Sequence, residues 1–141
     1  MKTVEVRRMI AADTARIWAV LSDPAKLASG RLGVTRIEGR IGAGERFKLW
    51  SEASPGRAFP LKVTAYEPGR RMVWEGGMPL GLFHGKREFV LTPGPGATDF
   101  HMREQFTGLL SGPITRSMPD MQPFFDRFAD GLKAIAEGGN A

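Results

Sequence analysis

The stretch "TDFHMREQFTG", Thr98–Gly108, alternates in polarity with period two. Phe100, Met102 and Phe106 fall on one face, and Asp99, His101, Arg103 and Gln105 on the other, as in a half-buried strand. Glu104 breaks the pattern: it is a carboxylate on the apolar face. Strand-like runs fill the chain from Val34 to Thr107: "GVTRIEGR", "ERFKLWSE", "RAFPLKVTAYEPG", "RRMVWEGG" and "FHGKREFVLTPGPG". Turn signals separate them at Gly42–Gly44, Glu67–Arg70 and Pro93–Gly96, and the short links predict an antiparallel meander. Pro60, early in its run, predicts an edge strand or a bulge.

Ahead of the meander, Thr3–Ile10 reads as a first strand. Asp13 then caps a short helix over Ala15–Leu21, with Ile17, Val20 and Leu21 on one face and Ser22-Asp23-Pro24 as its stop. A second helical turn follows over Pro24–Leu27, where proline suits the first helical position. Beyond Gly108, "LLSGPITRSMPDM" reads as a loop or lid-like segment with exposed apolar residues. Met121, Phe125, Phe128, Leu132 and Ile135 then recur at helical spacing and predict a long terminal helix, ended by "EGGN" at Glu137–Asn140.

The order predicts an α+β fold: a curved antiparallel sheet of about six to seven strands around a long C-terminal helix, with two short helices after strand 1. A bent sheet closed by one helix leaves a space between them, and such spaces hold ligands.

Composition narrows the function. The 141 residues suit a single domain spanning 1–141. No apolar run reaches the roughly 18 residues of a membrane span, so membrane insertion is not expected. The alternating, charged N-terminus reads as a strand rather than a signal peptide. Zero cysteines exclude disulfides and thiolate metal sites and fit a reducing cytoplasm. The net charge of +5 raises a nucleic-acid reading, but the basic residues are scattered from Lys2 to Lys133 among acids. Without a basic helix or an aromatic platform they read as a solvated surface, and no nucleic-acid partner is expected. The two histidines, His84 and His101, form no metal-ligand pattern, and His101 falls on the outward face beside Arg103. The glycine-rich pieces lead into strands rather than helices, so neither a phosphate loop nor a nucleophile elbow is present. No metal or cofactor is expected.

Several segments resemble one superfamily. "IAADTARIWAVLSDPAKLASG" resembles the opening of the START-related, birch-pollen-allergen-like helix-grip (SRPBCC) proteins, in which a strand end leads into a Trp-bearing helix with a Leu-Ser-Asp stop. "GLFHGKREFVLTPGPGATDFHMREQFTGLL" resembles their paired late strands, and "FFDRFADGLKAIAE" their terminal helix. Within the superfamily the sequence looks most like the bacterial polyketide cyclase/dehydrase-like branch. The resemblance implies an internal cavity for a hydrophobic or amphipathic small molecule. It implies, as an alternative, a cofactor-independent cyclase, aromatase or dehydratase, and more remotely a chaperone-cofactor-type interaction domain or a homodimer. Where "RLGVTR" stands, many relatives carry a Trp.

Strand phase gives Glu104 a partner. If Phe89 and Leu91 face inward, so does Arg87, and a hairpin through "PGPGA" places Leu91 opposite either Phe100 or Thr98. The first register sets Arg87 directly opposite Glu104; the second sets it diagonally. The pair reads equally as an internal ion pair of the fold or as the polar anchor of an apolar pocket. Arg87 and Glu104 are also the candidates for a catalytic role, although an adjacent Arg lowers a carboxyl pKa rather than tuning it toward neutrality. Leu49, Trp74, Phe89, Phe100 and Met102 are candidate ligand walls. Tyr66 joins them if Lys62, Thr64 and Tyr66 face inward rather than Val63 and Ala65. Met121, Phe125 and Phe128 would form the roof, and Met118 an adaptable gate.

Overall fold

The computed structural model describes residues 2–138. Its seven strands form one antiparallel sheet in the order β1-β7-β6-β5-β4-β3-β2. They are β1 Lys2–Ile10, β2 Val34–Gly39, β3 Arg46–Ser51, β4 Phe59–Glu67, β5 Arg71–Met78, β6 Phe83–Gly94 and β7 Ala97–Thr107. Two short helices, α1 Thr14–Leu21 and α2 Pro24–Leu27, follow β1; α3 Ser111–Ser117 and the long α4 Gln122–Gly138 end the described chain. The expected α+β helix-grip architecture is present: a curled half-barrel sheet gripping a C-terminal helix.

Local chemistry sets the element ends. Asp13 is the N-cap of α1, its side chain accepting from the Arg16 N–H at 2.8 Å, and Asp23 caps α2 in the same way. Proline opens α2 as expected. The predicted stop of α4 at "EGGN" falls partly outside the described residues.

α4 holds the sheet in two ways. Phe125, Phe128, Ala129, Leu132 and Ala136 bury against the concave face. Its polar flank clips the free edge of β1: Gln122 Nε2 donates to the Glu5 carbonyl at 3.0 Å, and Lys133 Nζ to the Met9 carbonyl at 2.7 Å. Arg8 reaches Asp130 at 2.8 Å. Two edge carbonyls that could otherwise template another strand are thereby occupied.

Two expectations need correction. Pro60 lies in an interior strand, opposite Lys48 of β3 and outside the β4–β5 ladder, which begins at Lys62. The bulge of β4 is further on, between Val63 and Ala65. The segment read as a loop contains a helical turn, α3. Pro113 is its third residue, where the missing N–H would have had no intrahelical partner.

Candidate functional site

Inward residues divide along the strands into a packed end and a hollow end. At the packed end, Met72, Phe89, Leu91 and Phe100 meet Ile10, Ile17 and Leu21, all buried. At the other end, the same face encloses a cavity of about 350 Å³. Its floor is Leu49 on β3, Leu61 on β4, Trp74 on β5, Gly85 and Arg87 on β6, and Met102, Glu104 and Phe106 on β7. Its roof is Met121, Phe124, Phe125 and Phe128, with Ile114 of α3 and Met118 beside them. Above this end, the β5–β6 turn bearing the exposed Leu80 is tied to the link after β7: the Leu109 N–H donates to the Gly81 carbonyl at 3.1 Å.

An ion pair stands in this largely apolar lining. β6 and β7 pair with Leu91 opposite Phe100, the first of the two registers, and Arg87 is directly opposite Glu104. Arg87 Nε donates to Glu104 Oε1 at 2.9 Å, and Nη2 closes the ion pair at 2.7 Å from the same oxygen. The side chains keep 19% and 15% of their exposure, so the pair is desolvated but still open to the cavity. The guanidinium also lies over the Phe125 ring, 4.8 Å from its centroid, tying the sheet to α4. The hydrogen bond and the ion-pair contact both fall on Oε1; Oε2 accepts no hydrogen bond among the described residues. Oε2 lies above Gly85, where an added Cβ would come within 3.1 Å of it.

Of the residues singled out from the sequence, Leu49, Trp74, Arg87, Met102, Glu104, Met121, Phe125 and Phe128 are gathered around this cavity, and so is Met118. Tyr66, Phe89 and Phe100 are not. Phe89 and Phe100 are fully buried at the packed end, with Phe89 against Trp74 and Phe128. Tyr66 packs edge-on against Trp18 of α1, with ring centroids 5.3 Å apart. The Val63/Ala65 bulge resolves the ambiguous phase of β4: Val63 pairs with the inward Trp74, and Tyr66 with the inward Met72. Period two identifies the face but not the depth along a strand, and depth separates wall from core here. The sequence pattern does not mark Leu61, Gly85, Phe106 and Ile114 as lining residues, although all four line the cavity. Phe106 shares the face of Met102 and Glu104, a signal already present in the alternation. Ile114 had none, because its segment reads as a loop.

The histidines lie on the outer face. His84 Nε2 is 2.7 Å from Glu75 Oε1, and His101 Nε2 is 3.2 Å from Glu5 Oε1. His101 is only half-exposed, held between β1 and β6. No group of three or more His, Cys, Asp or Glu among the described residues is placed to hold a metal ion. No described helix is long and apolar enough to cross a membrane.

With sheet, helix and cavity in view, the comparisons with known proteins agree. Residues 1–137 match the family described as polyketide cyclase/dehydrase and lipid transport. The chain belongs to this family. No curated protein matches the sequence significantly. Among solved structures, the fold is similar to that of MLL2253 from Mesorhizobium loti, at 17% identity over 99% of this chain and 100% of that one, with a TM-score of 0.77. It is similar to the Aha1 dimer from Colwellia psychrerythraea, at 19% identity over 100% of both chains and a TM-score of 0.76. It is also similar to truncated norcoclaurine synthase from Thalictrum flavum, at 16% identity over 95% and 92% of the two chains and a TM-score of 0.69. At such identities these likenesses show the helix-grip fold, and the polyketide cyclase/dehydrase and lipid transport family is shown by the match along the chain itself.

Proposed function

We propose that this protein binds an apolar or amphipathic small molecule in the hollow end of the grip, with the Arg87–Glu104 pair as the polar end of the site. The observation that carries this reading is the cavity itself, about 350 Å³ and walled by Leu, Met, Phe and Trp side chains around one ion pair. Its size falls in the range of small-molecule pockets, about 300–1,000 Å³, and its few convergent polar groups can orient a bound molecule. Membership in a family that includes lipid transport supports it, and a cytoplasmic location fits a chain without cysteine. Native mass spectrometry of protein expressed in bacteria should reveal a co-purified apolar molecule. Thermal-shift screening with fatty acids, sterols, aromatic polyketides and flavonoids should raise the melting temperature for at least one class. If nothing co-purifies and no class shifts the transition, the binding reading is wrong.

The family's cyclase/dehydrase members supply a second reading, in which the same cavity folds and dehydrates a polyketide chain. The open Glu104 Oε2 favours it, because a carboxylate facing a cavity can take a proton from a bound substrate. On this reading Glu104→Gln and Arg87→Met abolish turnover while the protein stays folded; retained turnover would remove both residues from the mechanism.

A further inference from the structure

We propose that the cavity selects a neutral ligand carrying a hydroxyl, phenolic or alcoholic, and that this hydroxyl donates to Glu104 Oε2 above the bare backbone of Gly85. The proposal rests on the reading of the cavity as a ligand site. Glu104 is the acceptor. Its Oε1 takes the Arg87 hydrogen bond and the ion-pair contact, and its Oε2 takes no hydrogen bond among the described residues. An ionised carboxylate has only lone pairs to offer, so the group that satisfies Oε2 must be a donor. A ligand that fills the cavity with an ether oxygen or a methyl group there expels water and leaves those lone pairs unmet, which costs affinity.

Charge points the same way. Among the described residues, three charged ones line the cavity: Arg57, Arg87 and Glu104. Arg57 is exposed at the rim, over the Phe59 ring at 5.6 Å. Inside, Arg87 is already matched by Glu104 and shielded on one face by Phe125. An anionic head placed beside the pair would meet a neutralised cation and a full carboxylate, so burying it there brings no net attraction. A hydroxyl costs less to desolvate and gains a charge-assisted hydrogen bond.

Gly85 supplies the room. A Cβ at this position would sit 3.1 Å from Oε2 and 3.7 Å from the Phe106 ring. Its absence opens the space beside the free oxygen, next to an aromatic wall against which a flat ring can lie.

The test uses three matched probes, 2-naphthol, 2-methoxynaphthalene and 2-naphthoate, titrated into the full chain by calorimetry at neutral pH. Naphthol should bind about tenfold more tightly than its methyl ether, the worth of one hydrogen bond to a charged acceptor. In Glu104→Gln the advantage should vanish, and naphthoate should gain affinity because Arg87 has lost its counter-charge. In Gly85→Ala, whose methyl fills the space beside Oε2, both compounds should bind more weakly and naphthol should lose its advantage over methoxynaphthalene; this second variant leaves the ion pair in place and guards against a misfolded Glu104→Gln. Equal binding of naphthol and methoxynaphthalene to the unmodified protein would overturn hydroxyl selection and leave the cavity reading intact. If no probe binds and no apolar molecule co-purifies, both readings fall.

Discussion

Arg87 and Glu104 face each other across β6 and β7 on the concave side of the sheet, joined through a single carboxylate oxygen at 2.7 and 2.9 Å. The pair sits among the largely apolar residues that line the grip. Taking two charges this far from water is compensated only while both are present. Arg87→Met should therefore destabilise the protein by about 2–3 kcal/mol, below the range for a sealed ion pair because this one opens to a cavity. Replacing both, with Arg87→Met and Glu104→Leu, should restore most of that loss. Urea unfolding of the two singles and the double closes the cycle; strict additivity would mean the pair is not coupled.

Tyr66 and Leu49 lie on the same face of the sheet and should behave oppositely. Tyr66 is packed on Trp18 at the filled end, and Leu49 borders the cavity. Tyr66→Ala should cost about 1–3 kcal/mol through lost aromatic packing and leave ligand affinity unchanged. Leu49→Trp should fill the cavity and weaken an apolar probe by more than about tenfold, or about 1.4 kcal/mol. Thermal shift and calorimetry on both variants separate packed end from hollow end.

This division also marks where the sequence was informative. Alternation over Thr98–Gly108 was enough to place Glu104 inward and to find Arg87 opposite it, because a slip of one residue would expose a whole apolar face. The Asp13 cap and the helical spacing from Phe125 to Leu132 were equally plain. Depth along a strand depends on how the sheet curls and where α4 lies, and no local pattern encodes either. Phe89 and Phe100 therefore share the pattern of Trp74 although the fold buries them at the other end. In β4, Val63 and Tyr66 both turn inward only because a bulge lies between them. Pro113 concealed α3 by marking the kind of residue that usually ends a helix, in a first turn that tolerates it.

Across that same bulge, an outer-face contact makes stability depend on pH. Thr64 Oγ1 donates to Glu75 Oε2 at 2.5 Å, and His84 Nε2 lies 2.7 Å from Oε1. The hydrogen bond from Thr64, with help from His84, holds the Glu75 pKa below its ordinary 4.5. Between the folded and unfolded values the unfolded chain binds the extra proton, so stability rises with pH across that interval. The contribution is complete above pH 4.5 and is lost as the pH falls through the lowered folded value. Thr64→Val removes the hydroxyl and keeps the branch. Its deficit in urea midpoint against the unmodified protein should be largest near neutrality and narrow below pH 4.5; a constant deficit would show that the hydroxyl acts through packing alone.

Gly131 is the remaining test, because two rules give it opposite signs. In the middle of an exposed helix, Gly→Ala usually gains about 1 kcal/mol, since alanine has less backbone freedom to lose. Gly131 faces the loop after α2, and an added Cβ would stand 2.1 Å from the Arg31 carbonyl oxygen and 2.8 Å from its carbon. Both are backbone atoms, which cannot rotate away as a side chain would. α4 or the loop would have to move, and overpacking of this kind costs about 1–3 kcal/mol. Gly131→Ala should therefore lower the urea midpoint. The exposed Ala134 on the same helix provides the control. Ala134→Gly should cost about 1 kcal/mol by propensity alone, so alanine is the better residue at one position and glycine at the other. Leu32 and Gly33, the next two residues of that loop, line the cavity. The displacement in Gly131→Ala should also weaken probe binding, whereas Ala134→Gly should leave it unchanged. If Gly131→Ala stabilises the protein, α4 does not approach the loop this closely.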